Sequence, residues 1–464
     1  MSDSIRVGLA GARFAARFHW KGYQRVFSVP VEVVGVTSRS AASRQQFAHE
    51  HEVKAYDSFD ELCQNCDVVD ICAPGYAHEE LAVRALERGK HVVIEKPFTG
   101  YYGGTNPDDR GPSEEAAQHF RGNEFSKEAM LAAAIASCDR ILTAARQADR
   151  LVCYAENWVY APAIQKEREI LMKSGGQILW IIGDESHSGS HSPYYGIWKY
   201  SGGGSLVGKA CHPLSAALYL KRAEGERSVA PRLNLDHPLT PDPSPPRGRG
   251  ETKPLESSLP SPPWGRGVGG EGVVKSQGGQ DSSSIARLPG PGKPIRPTTV
   301  SARTHEITKL KGFRDEGYLR TGYDDIEDYG QMHLTFDDGT VADIFACELV
   351  LGGVHNWLEV FANNHRTRCN LNPIDALETY NPHEELLKDV YVTEKIGTKQ
   401  GWSHPAPDED WQHGYPQEFQ DFAESIQANR EPQSGGALAR DTIATLYAAY
   451  LSAERRGAEV EIPG

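Results

Sequence analysis

Apolar positions in the first third of the chain fall into short, largely β-branched runs: Ile5–Leu9, Val31–Thr37, Val68–Cys72, His91–Glu95 and Leu151–Ala155. Helical stretches separate them, over Ala41–Glu50, Phe59–Asn65, Ala77–Arg88 and the Ala-rich Lys127–Asp149, and Gly11 opens a further one after the first run. Strand-sized apolar runs alternating with helices predict a parallel sheet covered on both faces. Past the middle the pattern changes. Gln331–Phe336, Thr340–Ala346 and Trp357–Ala362 read as strands joined by tight turns, and Asp337-Asp338-Gly339 is a hairpin signal. With helices at Pro416–Asn429 and Ala437–Arg455, this half predicts a mixed or antiparallel sheet flanked by helices.

Two stretches break the pattern. Residues 100–123 are polar and Gly-rich and read as a loop inserted before the long helix. Between Asp236 and Gly272, 16 of 37 residues are Pro or Gly, and the flanks from about 226 to 297 stay poor in core formers. Such a segment buries too little apolar surface to offset its ordering entropy, so disorder is expected. Its halves, Pro243–Glu251 and Pro260–Gly272, look like a translated inverted DNA repeat. An inert surface insertion is the expectation, because long loops cost little stability.

Composition narrows the function. At about 150 residues per domain, 464 residues make two or three domains. Forty-nine basic against 63 acidic residues, net −14, argue against a nucleic-acid surface and against an anionic membrane. No run of about 18 apolar residues exists to span a bilayer. Met1-Ser2-Asp3-Ser4 shows no secretory signal, and eight Cys are sparse, so reduced thiols and a cytoplasmic location are expected.

Candidate chemistry begins at residue 8. Gly8-Leu9-Ala10-Gly11-Ala12-Arg13-Phe14-Ala15-Ala16 lies where the first strand meets the first helix. That is the place of the dinucleotide fingerprint G-x-G-x-x-G/A, with Gly11 at the tight turn and Ala16 at the close helix–strand contact. Arg13 replaces the second Gly, and its side chain could cover the phosphates instead. After the second strand, Ser38 and Arg39 stand where an acid would favour NAD; a guanidinium there suits a 2′-phosphate, so NADP is favoured over NAD.

Further along, several stretches in order resemble the Gfo/Idh/MocA oxidoreductases (glucose–fructose oxidoreductase, inositol dehydrogenase and MocA-like proteins). They are the Gly-rich turn, Ala73-Pro74-Gly75-Tyr76-Ala77-His78, Glu95-Lys96-Pro97, Glu156-Asn157 through Tyr160 and Pro162, Gly202–Leu206 leading to His212, and the tail from Phe419 through Arg440 to Glu459–Ile462. The resemblance implies an α/β protein. An N-terminal Rossmann dinucleotide-binding domain spans 1–155, and a C-terminal α/β domain with an open, mainly antiparallel sheet spans 156–464. It implies hydride transfer to or from a secondary alcohol of a sugar, cyclitol or glycoside, in a dimer or tetramer. His212 would be the acid/base and Lys96 the cation that polarises the hydroxyl. Gly8, Gly11, Ala12, Arg13, Phe14, Ser38, Arg39, Ala73, Pro74, His78, Glu95 and Lys96 would hold NADP or NAD.

One departure stands out. Many relatives carry an Asp four residues before the His, and this chain has Gly208 followed by Lys209. Glu156, Asn157, Tyr160, His187, His191 and Lys209 are the expected substrate contacts, the histidines lying in the polar stretch Glu185–His191 read as a loop. Glu185, His187, His191 and His212 could also form a borderline metal set, but no metal is expected. Two other functions stay open: a glycosidase that transiently oxidises C3, and a cofactor-binding protein without turnover.

Overall fold

The computed structural model describes residues 4–103, 120–190, 195–227, 292–372 and 377–464. The first sheet contains β1 (Ile5–Ala10), β2 (Val31–Thr37), β3 (Lys54–Ala55), β4 (Val68–Ile71), β5 (His91–Glu95) and β6 (Val152–Ala155). All neighbours run parallel, in the order β3-β2-β1-β4-β5-β6. This is the doubly wound order, with its topological switch between β1 and β4. Four helices cross between strands: α1 (Phe14–Tyr23), α2 (Ala41–His51), α3 (Phe59–Asn65) and α4 (His78–Glu87). The long α5 (Lys127–Ala148) precedes β6. Ser40, Ser58 and Ser126 start α2, α3 and α5 by accepting the backbone N–H three residues on. β4 is buried at every residue, as a central parallel strand requires.

The second sheet is seven-stranded, ordered β12-β11-β7-β10-β9-β8-β15. Its members are β7 (Ile178–Ser186), β8 (Pro297–His305), β9 (Tyr329–Phe336), β10 (Val341–Cys347), β11 (His355–Ala362), β12 (Arg366–Asn370) and β15 (Val460–Glu461). Every pairing is antiparallel except β7 with β10. A small hairpin of β13 (Thr379–Asn381) and β14 (Gly401–Ser403) stands apart. Along the chain, α6 (Pro162–Ser174) precedes β7, and α7 (Cys211–Glu226) follows it after a π-helical turn at Leu206–Ala210.

Two C-terminal helices return to the first sheet. α8 (Tyr415–Ala428) packs on α1, where a side chain at Gly22 would run into the Phe419 ring at 2.1 Å. α9 (Gly436–Glu454) packs on α5, α7 and β8 together. One continuous core therefore runs beneath both sheets.

The structure corrects one reading and leaves others outside its scope. Glu185 and Ser186 are not loop residues: they end β7, a central strand paired on both sides. The polar letters hid the strand, because its carboxylate is buried through tertiary partners. Most of the expected 226–297 insertion and most of the 100–123 loop lie outside the described residues. Among the described residues no helix is long and apolar enough to cross a membrane. All eight Cys are free thiols, all but Cys347 buried.

Candidate active site

At the carboxyl end of the first sheet, Gly11 has φ +131°, and a Cβ there would lie 2.4 Å from the Cys72 carbonyl oxygen. Only glycine lets the ends of β1 and β4 close this tightly. Gly11 N also donates to Thr37 O at 2.9 Å, which ties the turn to the end of β2. Buried Ala12 and exposed Arg13 follow, Arg13 as the N-cap residue of α1, whose positive dipole end faces the crevice at the strand-order switch. Exposed Phe14 packs on Phe18 with the rings tilted and their centres 4.7 Å apart. Half-buried Ser38 bonds Ser40 O, and exposed Arg39 lies 5.7 Å over the Tyr76 ring. Across the switch, Ala73 and Pro74 form the rim, and His78 contacts Ala73 O at 2.8 Å and Pro97 O at 3.0 Å. His78 thereby links the rim to the Glu95-Lys96-Pro97 turn. Gly8 sits inside β1, where a Cβ would meet Leu62 at 2.7 Å, so it serves packing against α3. A tight glycine turn, a helix start and a basic residue after β2 fit a dinucleotide.

Beside that crevice, charged groups from three β-strand ends and one helix start converge. Lys96 follows β5, Glu156 follows β6, Glu185 lies near the end of β7 and His212 opens α7. Lys96 Nζ donates to the Gly208 carbonyl at 2.8 Å. Burial pulls the Lys96 ammonium down, but Cys211 and the carboxylates of Glu185, Glu95 and Glu156 outweigh it, so it stays charged. His212 Nδ1 lies 2.5 Å from Glu156 Oε1, and its Nε2 lies 3.9 Å from Glu185 Oε2. The Trp158 ring stacks on the imidazole at 6.0 Å. Burial opposes the His212 imidazolium, while Glu156 and Glu185 raise its pKa above the ordinary value. Glu185 is 6% exposed and its Oε2 has no hydrogen-bond partner. Burial also holds the Glu185 carboxyl above its usual range. His187, just past β7, is kept neutral by burial, its pKa pushed down to about 2, and its Nδ1 is likewise unpartnered.

Buried polar atoms without partners are rare and call for an explanation. Here two of them, Glu185 Oε2 and His187 Nδ1, lie at the end of β7, and the first of them faces His212. An oxygen about 2.8 Å from each, an ordinary hydrogen-bond length, would bridge the 3.9 Å from His212 Nε2 to Glu185 Oε2.

Comparisons with known proteins bear on the first sheet and on the fold. Residues 5–105 match the family model described as oxidoreductase family, NAD-binding Rossmann fold. Over those residues the chain is similar to the Gfo/Idh/MocA oxidoreductases. A UDP-N-acetylglucosamine 3-dehydrogenase of Acidithiobacillus ferrooxidans is 33% identical over 95 residues, 20% of this chain and 29% of that protein. The aligned stretch thus spans under a third of that relative. Over the whole chain the fold is similar to that of GenD2 from gentamicin A biosynthesis, solved with NAD (TM-score 0.67, 17% identity, covering 100% of this chain and 98% of that one). It is also similar to a myo-inositol 2-dehydrogenase of Lactobacillus plantarum (TM-score 0.62, 14% identity, 99% and 100%).

Against the Gfo/Idh/MocA pattern, the other expected residues divide clearly. Glu156 turns toward His212, as above. Asn157 donates to His413 O at 2.9 Å, and Tyr160 bonds Asp421 and Ser434 N, so both join the first sheet to α8. Lys209 is 2% exposed, and its ammonium meets Glu348 at 2.5 Å and the carbonyls of His187 and Cys347 at 2.6 and 3.1 Å. Its three protons are committed, which leaves none for a substrate. His191 lies outside the described residues.

Other residues in these networks carried no sequence signal. Glu348 gathers Lys209, Tyr195, Tyr323 and Gly189 from distant segments. Buried His19 bridges Asp70 and Glu95 at 2.8 and 3.4 Å. Two donor groups, His19–Asp70–Cys72 and Glu156–Cys211–His212, are compact enough to share an ion. In each, the His and carboxylate already bond one another, at 2.8 and 2.5 Å. Two ligands of one tetrahedral zinc ion would stand about 3.3 Å apart, given bonds of about 2.0 Å, so a metal would have to break those bonds.

Proposed function

We propose that this protein is an NAD(P)-dependent dehydrogenase or reductase that transfers a hydride to or from a secondary alcohol carbon of a sugar, cyclitol or glycoside. The observation that carries the reading is the meeting of Lys96, His212 and the unpartnered Glu185 oxygen beside the Gly11 crevice. When bound there, a nicotinamide supplies the hydride acceptor or donor. The protein's own part is proton chemistry and charge. In the oxidising direction His212 Nε2 takes the hydroxyl proton, and Lys96 stabilises the alkoxide character that develops on the same oxygen. Glu185 and neutral His187 hold neighbouring hydroxyls. Cofactor binding falls to residues 1–155, with Gly11, Ala12, Arg13 and Phe14 at the phosphates, Ala73, Pro74 and Glu95 on the facing rim, and Ser38 with Arg39 favouring NADP over NAD. The 156–464 region supplies the substrate side and the contacts of a dimer or tetramer.

Calorimetric titration with NADP and then NAD tests the reading, followed by a sugar, cyclitol and glycoside screen read at the nicotinamide absorbance. Binding of either nucleotide, together with turnover that changes its redox state, is the expected result. Folded protein that binds neither, and releases none on denaturation, overturns it.

A further inference from the structure

The carboxylate that many relatives place four residues before the catalytic His has no room here. A Cβ on Gly208 would lie 2.8 Å from the Tyr195 hydroxyl and 2.9 Å from its ring. Tyr195 cannot easily step aside. Its hydroxyl donates to Glu348 at 2.7 Å, and that carboxylate is fully buried and also bonds Lys209 and Tyr323. Gly208 contributes only its backbone, whose carbonyl accepts from Lys96.

The imidazole nevertheless has a carboxylate. Glu156, 0% exposed, reaches Nδ1 from the end of β6 and not from the π-helical turn that carries Gly208. We propose that Glu156 is the positioning residue of His212 and that this chain has moved the orienting carboxylate from the helix to the strand end. The proposal rests on His212 being the acid/base. Glu156 accepts the Nδ1 proton, which leaves the lone pair on Nε2, the nitrogen that faces the gap toward Glu185. When a hydroxyl proton moves to Nε2, the O–H bond breaks and the N–H bond forms. The Nδ1 proton stays on the ring, and the Glu156 charge steadies the imidazolium. The charged groups around the ring are Glu156 from β6, Glu185 from β7 and Lys96 from β5, with the Cys211 thiol on its own helix. Trp158 covers one face and adds no charge.

The test is nitrogen-15 NMR of the full-length protein with labelled histidine, the His212 signals assigned by their loss in His212→Asn. Wild type is expected to show the Nδ1–H tautomer and a pKa above the ordinary value of about 6.5. Glu156→Gln is expected to lower that pKa by about one unit or more, and Glu156→Asp to restore part of it. A merely structural Glu156 would not move the tautomer or the titration. A folded Glu156→Gln protein with an unchanged His212 overturns the proposal. Should that variant not fold, wild type decides: an Nε2–H tautomer, or a pKa at or below the ordinary value, overturns it equally. NADP and NAD titrations on the same wild-type and Glu156→Gln samples keep the two readings apart. Loss of nucleotide binding in wild type would sink the oxidoreductase reading and leave the Glu156–His212 result standing.

Discussion

Two buried histidines in this molecule each stand between two carboxylates, and they differ in one respect. His19 is closed on both sides, with Asp70 at 2.8 Å and Glu95 at 3.4 Å. His212 is closed on one side only: Glu156 lies at 2.5 Å, but Glu185 stands off at 3.9 Å with an unpartnered oxygen. Both imidazolium forms are raised against burial, through Asp70 and Cys72 at His19 and through Glu156 and Glu185 at His212. The same residue types therefore give two outcomes. A fully partnered ion cluster joins α1 to β4 and β5, and a cluster with one side open leaves a carboxylate oxygen without a partner beside the imidazole, the pair the proposed reaction uses. Completeness of partnering, not residue type, separates structure from chemistry here.

The sharpest way to break this comparison is to remove each ring. His212→Ala is expected to lower kcat by about 10²–10⁴-fold and, because it leaves buried Glu156 without its partner, to lower Tm as well. His19→Asn is expected to leave Asp70 buried without its partner and to cost about 3–5 kcal/mol of stability, read by denaturant melts. Full activity in folded His212→Ala, or an equal loss of kcat in folded His19→Asn, would dissolve the distinction. Lys96→Ala comes next. It removes the cation at the reacting oxygen and should lower kcat by about 10²-fold or more, while NADP and NAD affinity changes little.

Acidity offers a finer separation. Because the folded pKa of His19 is raised, its ion pairs stabilise the fold fully below the unfolded value of about 6.5, and that contribution is lost as pH rises through the folded pKa. The Tm difference between wild type and His19→Asn should therefore be widest in acid and narrow toward alkaline pH. His212, also raised, must lose its proton to act as a base, so the oxidation rate should climb with pH through its folded value. His187→Asn should leave the shape of that profile alone, since its pKa is already pushed down to about 2. The smallest expected effect is at the rim. Arg39→Ala should shift the NADP-to-NAD preference by about tenfold toward NAD, measured as a ratio of Kd values, because it removes a guanidinium that suits a 2′-phosphate.

Much of this protein was legible in one dimension. The parallel sheet announced itself in Val31–Thr37 and His91–Glu95, because a largely buried parallel strand reads as a short, β-branched apolar run. Gly11 was legible because a positive φ at a tight turn excludes other residues. Lys96 and His212, the residues of the proposed chemistry, were singled out through short motifs whose order along the chain resembles the family's. What the sequence alone could not decide is who faces whom. Glu156 and His212 are 56 positions apart, and Lys209 and Glu348 are 139 apart. Lys209 reads as a free cation until Glu348 closes on it, and Glu185 reads as a loop residue until β10 and β11 pair on either side of it. Local pattern is set by each residue's own backbone and burial preferences. The partner of a buried charge is set by chain crossings that no local preference encodes, so the tertiary structure alone determined that the carboxylate serving His212 comes from a strand end.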